Sequence, residues 1–226
     1  MFRITNLSLF YITLFSGILF ISIVFLTFKT VINEQISIYA FIALLNIYIL
    51  YFLFAKKTAL TEVGRMVFMG IWITASLCLY LALGWTGDKL NYAPEMLVIL
   101  LILTWIHDIG AYLLGSAFGK HLMAPAISPG KTWEGFTGGL LLNAGAGFVI
   151  STISDLHSPI EWIIIAVVVS AGSTAGDLFE SKLKREADVK DSGNLIPGHG
   201  GILDRFDSLM FSAPLFYIAT EILQKI

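Results

Sequence analysis

The residues best suited to chemistry lie near the end of the chain, in the stretch SKLKREADVKDSGNLIPGHGGILDRFDS. Asp204 and Asp207 are three residues apart at the head of the last apolar segment, so a helix would present both carboxylates on one side. Asp177 lies shortly before this stretch. An oxygen-rich set of this kind suits Mg²⁺, a hard cation that binds one or two carboxylates together with substrate phosphates. The sequence therefore predicts a magnesium site at these three residues.

The same stretch is rich in positive charge and in glycine. It contains four cations, Lys184, Arg185, Lys190 and Arg205. Their side chains would repel one another unless anions lie between them. Glycines at positions 198, 200 and 201 surround His199 and allow the backbone to approach a ligand closely. Phosphate groups are the anions that this combination favours.

A second polar segment, APAISPGKTWEG, precedes the next apolar run. We expect Pro129-Gly130 to set a turn, from which Lys131 supplies charge and the hydroxyls of Ser128 and Thr132 donate to an anion. The segment is not a P-loop, because Pro125 stands where that motif requires glycine. A solvated loop without a ligand is the alternative.

These polar segments lie in a chain that is 57% hydrophobic, with a mean hydropathy of +0.82. Such a composition predicts an all-α, polytopic integral membrane helix bundle. About seven spans are expected, at residues 7–28, 36–54, 66–83, 95–118, 135–154, 160–180 and 208–224. Polar residues enter the spans only in the later part of the chain. We therefore divide it into scaffold helices at residues 1–90 and a catalytic region with two cytoplasmic loops at 91–226.

Two carboxylates fall inside these spans. Asp108 shares a helical face with Thr104 and Tyr112, and such a residue usually faces a wet cavity or a partner group. We expect Asp108 to line a functional cavity, with a structural hydrogen bond as the alternative, whereas His107 points to another face. Asp177 belongs to a polar stripe that runs from the apolar region to the interface, formed by Ser170, Ser173, Asp177, Glu180, Ser181 and Lys184.

The distribution of positive charge predicts the orientation in the membrane. With the N-terminus inside, 11 of the 14 Lys and Arg residues fall on the inner side, in agreement with the positive-inside rule. Both polar loops then face the cytoplasm, where nucleotides are found. The sequence thus predicts an enzyme of the inner, cytoplasmic membrane that combines a nucleotide with a lipid of the bilayer.

The polar stretch also resembles the signature of the phosphatidate cytidylyltransferases, also called CDP-diacylglycerol synthases. That signature runs S-x-apolar-K-R, four residues, K-D, then H-G-G-apolar-x-D-R-apolar-D, and residues 181–207 agree with it at every defined position. The segment HDIGAYLLGSAFGKHLMAPAISPGKTWEGFTGG is similar to a second familiar segment of the family. The resemblance covers about residues 100 to 210. It implies transfer of CMP from CTP to phosphatidic acid, which gives CDP-diacylglycerol and pyrophosphate in phospholipid biosynthesis.

The resemblance also implies roles for individual residues. Asp177 and Asp204 would bind Mg²⁺, with Asp207 as a further ligand or acceptor, and a second cation is compatible with the site. Catalysis would also involve Lys184 and Arg185. The residues assigned to the substrates are Asp108, Ser128, Lys131, Thr132, Glu134 as an orienting acceptor, Lys190, Asp191, His199, Gly200, Gly201 and Arg205. A homodimer is compatible with the sequence, and no nucleic-acid partner is predicted.

Two other functions would use similar residues. A polyprenol-type lipid kinase that uses CTP needs the same cations and carboxylates but transfers the γ-phosphoryl group. An ion-coupled transporter would use Asp108 and Asp177 inside the membrane, although it does not need the basic cytoplasmic loop.

Overall fold

The computed structural model describes residues 60–85, 94–186, 188–189 and 203–224. These are mostly helical, as the composition predicts. The helices are α1 (Leu60–Ala82, followed by a 3₁₀ turn at Leu83–Trp85), α2 (Glu95–Phe118), α3 (Trp133–Ile150), α4 (Pro159–Glu186) and α5 (Leu203–Leu223). Helix α1 belongs to one compact unit, and helices α2 to α5 belong to the other.

Three of the described helices are long and apolar enough to cross a membrane. They are α2, α4 and the Phe206–Leu223 part of α5, and they confirm the membrane character expected of spans 95–118, 160–180 and 208–224. Helix α3, in place of the predicted span 135–154, has 18 residues and is about 27 Å long. It is not among the membrane-spanning candidates. Helix α1 lies near the predicted span 66–83. Its stretch Trp72–Ala82 is apolar but shorter than the three candidate spans. Spans 7–28 and 36–54 lie outside the described residues, so the count of seven stays a prediction.

Helices α2 to α5 pack around one another. Helix α2 contacts α3, α4 and α5, while α4 lies against both α3 and α5. Leu100, Leu103, Trp162 and Phe216 are fully buried between them. A buried polar contact adds to this packing, because the Asn143 side chain on α3 donates to the Ala166 carbonyl on α4 at 2.9 Å. The polar site described below is therefore built on a packed four-helix frame.

Glycine permits the closest approaches in this frame. A Cβ atom at Gly176 on α4 would overlap the carbonyl oxygen of Asp207 on α5, and one at Gly139 on α3 would overlap the carbonyl oxygen of His107 on α2. Small residues at such positions allow helix backbones to come together in membranes. Gly139 and Gly176 thus set how closely the polar residues of neighbouring helices face one another.

Between α2 and α3 the chain forms an antiparallel hairpin, which the expectation of an all-α fold did not include. Strand β1 (Leu122–Ala124) pairs with β2 (Ser128–Thr132), with Leu122 opposite Thr132 and Ala124 opposite Ser128. The predicted turn at Pro129-Gly130 is wrong, because both residues lie within β2. The chain reverses before them, where the Ile127 N–H donates to the Ala124 carbonyl at 3.0 Å. Proline is tolerated in β2 because an exposed edge strand does not require every N–H to be paired.

Candidate active site

The hairpin places a cation beside a carboxylate of the membrane helices. Lys131 on β2 extends its Nζ to within 2.7 Å of Asp177 Oδ2 on α4. The lysine side chain is 24% exposed and the aspartate 38%. Asp177 also accepts a hydrogen bond from the Ser181 hydroxyl at 3.2 Å. Two residues that are 46 positions apart in sequence therefore form one polar, solvent-accessible pair.

A cavity of about 250 Å³ opens beside this pair. Ser128, Lys131 and Thr132 line it from the hairpin, and Asp108 and Asp177 line it from α2 and α4. Five of the residues predicted for the site thus meet around one space. Thr132 has a second role as the N-cap of α3, where its hydroxyl accepts from the Gly135 N–H at 3.2 Å.

His107 also lines this cavity, although the sequence did not predict it there. The residue is buried, and its Nε2 lies 2.9 Å from the hydroxyl of Thr174 on α4. Thr174 is itself a lining residue. Helical spacing placed His107 away from the face of Asp108, but α3 and the hairpin extend the cavity around α2 and so include it.

Asp108 lines two cavities. It accepts a hydrogen bond from the Ser173 hydroxyl at 2.5 Å, which is the structural contact considered as the alternative for this residue. Asp108 also lines a second cavity of about 410 Å³ between α2 and α5, where its neighbours include Trp105, Asp204 and Asp207. The expectation that Asp108 lines a cavity is compatible with both contacts. Its role toward a substrate stays a prediction.

A second lysine is enclosed by two carboxylates. Lys184 Nζ lies 2.7 Å from Glu180 Oε2 on the same helix and 2.9 Å from Asp204 Oδ1 on α5. The side chains of Lys184, Glu180 and Asp204 are only 19%, 1% and 12% exposed. Sequence reasoning placed Glu180 in the polar stripe but gave it no role in the site. Its only signal was the i,i+4 spacing to Lys184.

Arg185 and Glu134 both contact the hairpin. Arg185 Nε donates to the Ile127 carbonyl at the turn, at 3.3 Å. At the other end, Glu134 accepts hydrogen bonds from the His121 side chain and from the backbone N–H groups of Lys120 and His121. These contacts, the His121 side chain first, lower the pKa of Glu134 to about 2, so its carboxylate is ionised at neutral pH. The use of either residue for substrate binding stays a prediction.

The arrangement of cations and carboxylates around two cavities agrees with the comparison to known proteins. The sequence matches the cytidylyltransferase family over residues 1–223. The chain belongs to this family.

This cytidylyltransferase-family chain is also similar to individual proteins. It is 36% identical to the phosphatidate cytidylyltransferase of Bacillus subtilis over 185 residues, which are 81% of this chain and 66% of the relative. It is 49% identical to the enzyme of that name from Staphylococcus epidermidis over 119 residues, or 52% of this chain and 45% of the relative. The Haemophilus influenzae enzyme of that name is 47% identical over 126 residues, or 54% and 44%. The chain thus spans about half the length of the last two relatives.

The donor atoms of this family member suit a hard cation. Asp207 accepts from the Ser208 N–H at 2.7 Å and lies within electrostatic range of Asp177 and Asp108. Mg²⁺ usually binds one or two carboxylates, and substrate phosphates complete its shell. Across residues 60–85, 94–186, 188–189 and 203–224, however, no three His, Cys, Asp or Glu side chains form a group that could hold an ion. Asp177 and Asp204 instead each face a lysine, and metal binding stays a prediction.

Lys190, Asp191, His199, Gly200 and Gly201 lie outside the described residues. Arg205 belongs to the first turn of α5, and only its backbone is described.

Proposed function

We propose that this chain transfers CMP from CTP to phosphatidic acid, giving CDP-diacylglycerol and pyrophosphate. The observation that carries the proposal is the Lys131–Asp177 pair beside a polar cavity, in a member of the cytidylyltransferase family. The relatives named phosphatidate cytidylyltransferase support phosphatidic acid as the lipid substrate. The cavity supports the other substrate, because its hydroxyls and its lysine suit the phosphates of a nucleotide.

The reaction needs no side-chain nucleophile. Phosphatidic acid is a phosphate monoester, and with a second pKa of about 6 it is largely dianionic at pH 7. One of its oxygens attacks the α-phosphorus of CTP. The new phosphorus–oxygen bond forms as the bond from the α-phosphorus to the bridging oxygen breaks, and the electron pair leaves with pyrophosphate. The protein therefore acts mainly by positioning the two substrates and by stabilising negative charge.

The hairpin is the part of the site that we assign to CTP. Lys131 supplies positive charge to the phosphates, and the hydroxyls of Ser128 and Thr132 donate hydrogen bonds to them. When Lys131 turns from Asp177 toward a phosphate, it exchanges one anionic partner for another. Asp177, Asp204 and Asp207 are the groups that would hold Mg²⁺, which when bound would supply positive charge to the reacting phosphates.

The second cavity is the part that we assign to the lipid. Leu101, Trp105, Phe206 and Leu209 form the apolar part of its lining, which suits the glycerol and acyl region, and Asp108 lines both cavities. Four cations would neutralise the lipid phosphate or the departing pyrophosphate, namely Lys184, Arg185, Lys190 and Arg205. His199, Gly200, Gly201 and Asp191 would complete the site from residues 191–201.

The membrane arrangement is part of the same proposal. Seven spans in the bilayer of the inner membrane would place both polar loops on the cytoplasmic side, supported by 11 of 14 cations on that side. The bacterial relatives support the inner membrane as the location. A homodimer is compatible with this arrangement.

Isotope transfer tests the reaction. Purified protein is incubated with Mg²⁺, with CTP labelled with ³²P at the α or the γ position, and with either phosphatidic acid or, in a parallel reaction, a polyprenol. We expect α-label in a chloroform-soluble product and γ-label in aqueous pyrophosphate, because CMP is the group transferred. Lipid labelled from the γ position would instead identify a lipid kinase. No labelled lipid from either position, with folded protein, would contradict both enzymes and favour the transporter.

A further inference from the structure

We propose that Glu134 is a positioning residue that holds the hairpin over the nucleotide cavity and acts on the reaction only through Lys131. This inference rests on the proposed function, since it concerns binding of CTP. It gives Glu134 a different role from the orienting substrate acceptor that the family resemblance implies.

Both oxygens of Glu134 are already used within the chain. Oε2 accepts the backbone N–H groups of Lys120 and His121, each at 3.1 Å, and Oε1 accepts from His121 Nδ1 at 2.5 Å. Because the carboxylate is ionised, it can only accept, so His121 Nδ1 must carry the proton. Three donors from one short segment leave little capacity for a substrate group.

The contacts lie at the open end of the hairpin. Lys120 and His121 directly precede β1, and Glu134 follows two residues after β2, in the first turn of α3. The backbone closes the same end, since the Trp133 N–H donates to the His121 carbonyl at 2.9 Å. Glu134, His121 and the Lys120 N–H therefore form a clamp at the base of the hairpin.

The hairpin needs such a clamp because it is small. An isolated two-stranded hairpin is marginally stable in water, and β1 and β2 have only three and five residues. Outside the clamp, the polar contacts that tie it to α4 are the Arg185 bond to Ile127 and the Lys131–Asp177 pair. The second of these must open when Lys131 binds a phosphate, so the clamp would then carry more of the positioning.

Glu134 is directed away from the nucleotide cavity. Lys131 and Thr132 before it, and Gly135 and Phe136 after it, line the cavity, but Glu134 is not among its lining residues. The position of Glu134 thus fits a residue that orients the strand rather than one that contacts the nucleotide.

The test compares CTP kinetics of Glu134→Ala with those of the wild type. If the hairpin is in place for only a tenth of the time, the apparent affinity for CTP falls about tenfold. We therefore expect a KM for CTP that is about tenfold higher, with kcat changed by less than about threefold once CTP saturates the site. Glu134→Gln keeps one carbonyl acceptor and should lie between the two. As a single variant, His121→Ala should also raise KM for CTP. In the Glu134→Ala background it should raise KM little further, because both residues belong to one clamp.

Glu161→Ala is the matched control. Glu161 is also an acid in the first turn of a helix, and it accepts the Ser158 N–H at 2.7 Å, but it contacts no part of the hairpin among the described residues. Its loss removes a similar helix-end contact, so KM for CTP should stay unchanged.

The distance between the hairpin and α4, measured without substrate, tests whether Glu134 positions the hairpin. Spin labels are placed on cysteines at Ala126, in the hairpin turn, and Lys182, on α4, with Cys78→Ala as the background. We expect a narrow distance distribution in the wild type and in Glu161→Ala, and a broad one in Glu134→Ala or, where that variant does not fold, in Glu134→Gln. A raised KM with an unchanged distribution would overturn the proposal, because Glu134 would then act on the nucleotide itself. A wild-type KM with a wild-type distribution would overturn it as well. If the wild type transfers no label from CTP, the proposed reaction fails, while the distance measurement still tests the clamp.

Discussion

Two lysines of the site have opposite surroundings. Among the described residues, Lys131 on the hairpin pairs with one carboxylate, that of Asp177, and both side chains are partly exposed, at 24% and 38%. Lys184 on α4 lies between two carboxylates, Glu180 and Asp204, that are almost completely buried. The first pair joins a small hairpin to a helix, whereas the second group joins two membrane helices.

This difference indicates which lysine is available to a substrate. Exposed ion pairs typically contribute about 0–1 kcal/mol, so Lys131 can leave Asp177 for a phosphate at little cost in stability. Breaking a buried pair leaves an uncompensated charge and costs about 3–5 kcal/mol. Lys184 is therefore held in place by the fold. We infer that Lys131 makes the mobile contact to the substrate, while Lys184 contributes fixed charge and stabilises the contact between α4 and α5.

The largest expected effect concerns the activity of Lys131→Met. Loss of a preorganised charge-stabilising donor lowers catalysis by about 100- to 1000-fold, and we expect kcat/KM for CTP to fall by about that factor. Thermal unfolding should change little, because the ion pair that is lost is partly exposed. Lys131→Arg keeps the charge and should recover part of the activity. If Lys131→Met turned over CTP at the wild-type rate, the hairpin could not be the phosphate-binding element.

The next effect concerns the stability of Lys184→Met. Removal of this lysine leaves Glu180 buried without its charge partner, and we expect the protein to lose about 3–5 kcal/mol of stability. The double variant Glu180→Leu, Lys184→Met should recover at least half of that loss, since it removes the stranded charge, but it should not recover activity. Thermal unfolding in detergent with a lipid-transfer assay measures both. Equal unfolding temperatures for Lys184→Met and Lys131→Met would remove the distinction between the two lysines.

The sequence predicted the helical parts of this comparison better than the hairpin. Residues 95–118 were expected as a span and form α2 with those bounds, because an uninterrupted apolar run determines a membrane helix locally. Asp177 was singled out because a carboxylate on an apolar helix face is unusual. The hairpin was missed because its pairing joins Leu122 to Thr132 across a proline-rich segment that reads as a loop.

Burial was also beyond the sequence. Glu180 and Lys184 have the spacing of an ordinary surface pair. Only the structure shows that Asp204 on α5 contacts Lys184 and that the pair is enclosed between helices. Nor did the pattern show that Asp177 would face Lys131, which lies on a different element. Helical periodicity assigns a residue to a face, but the partner on that face depends on how the helices pack.

The smallest expected effect is the coupling energy within each pair. A double-mutant cycle on stability with Lys131→Met and Asp177→Asn should give a coupling energy of about 1 kcal/mol or less. Because both side chains are accessible to ions, that energy should fall further as salt is raised from about 0.1 M to 1 M, where the screening length shrinks from about 10 to 3 Å. The cycle with Lys184→Met and Glu180→Gln should give a larger coupling energy that changes less with salt, since Glu180 is only 1% exposed. Chemical unfolding at two salt concentrations measures the wild type, the four single variants and the two double variants. A Lys131–Asp177 coupling that is as large and as salt-resistant as the Lys184–Glu180 coupling would mean that the hairpin is fixed by this ion pair. Lys131 could not then be released to a phosphate without loosening the hairpin that carries it.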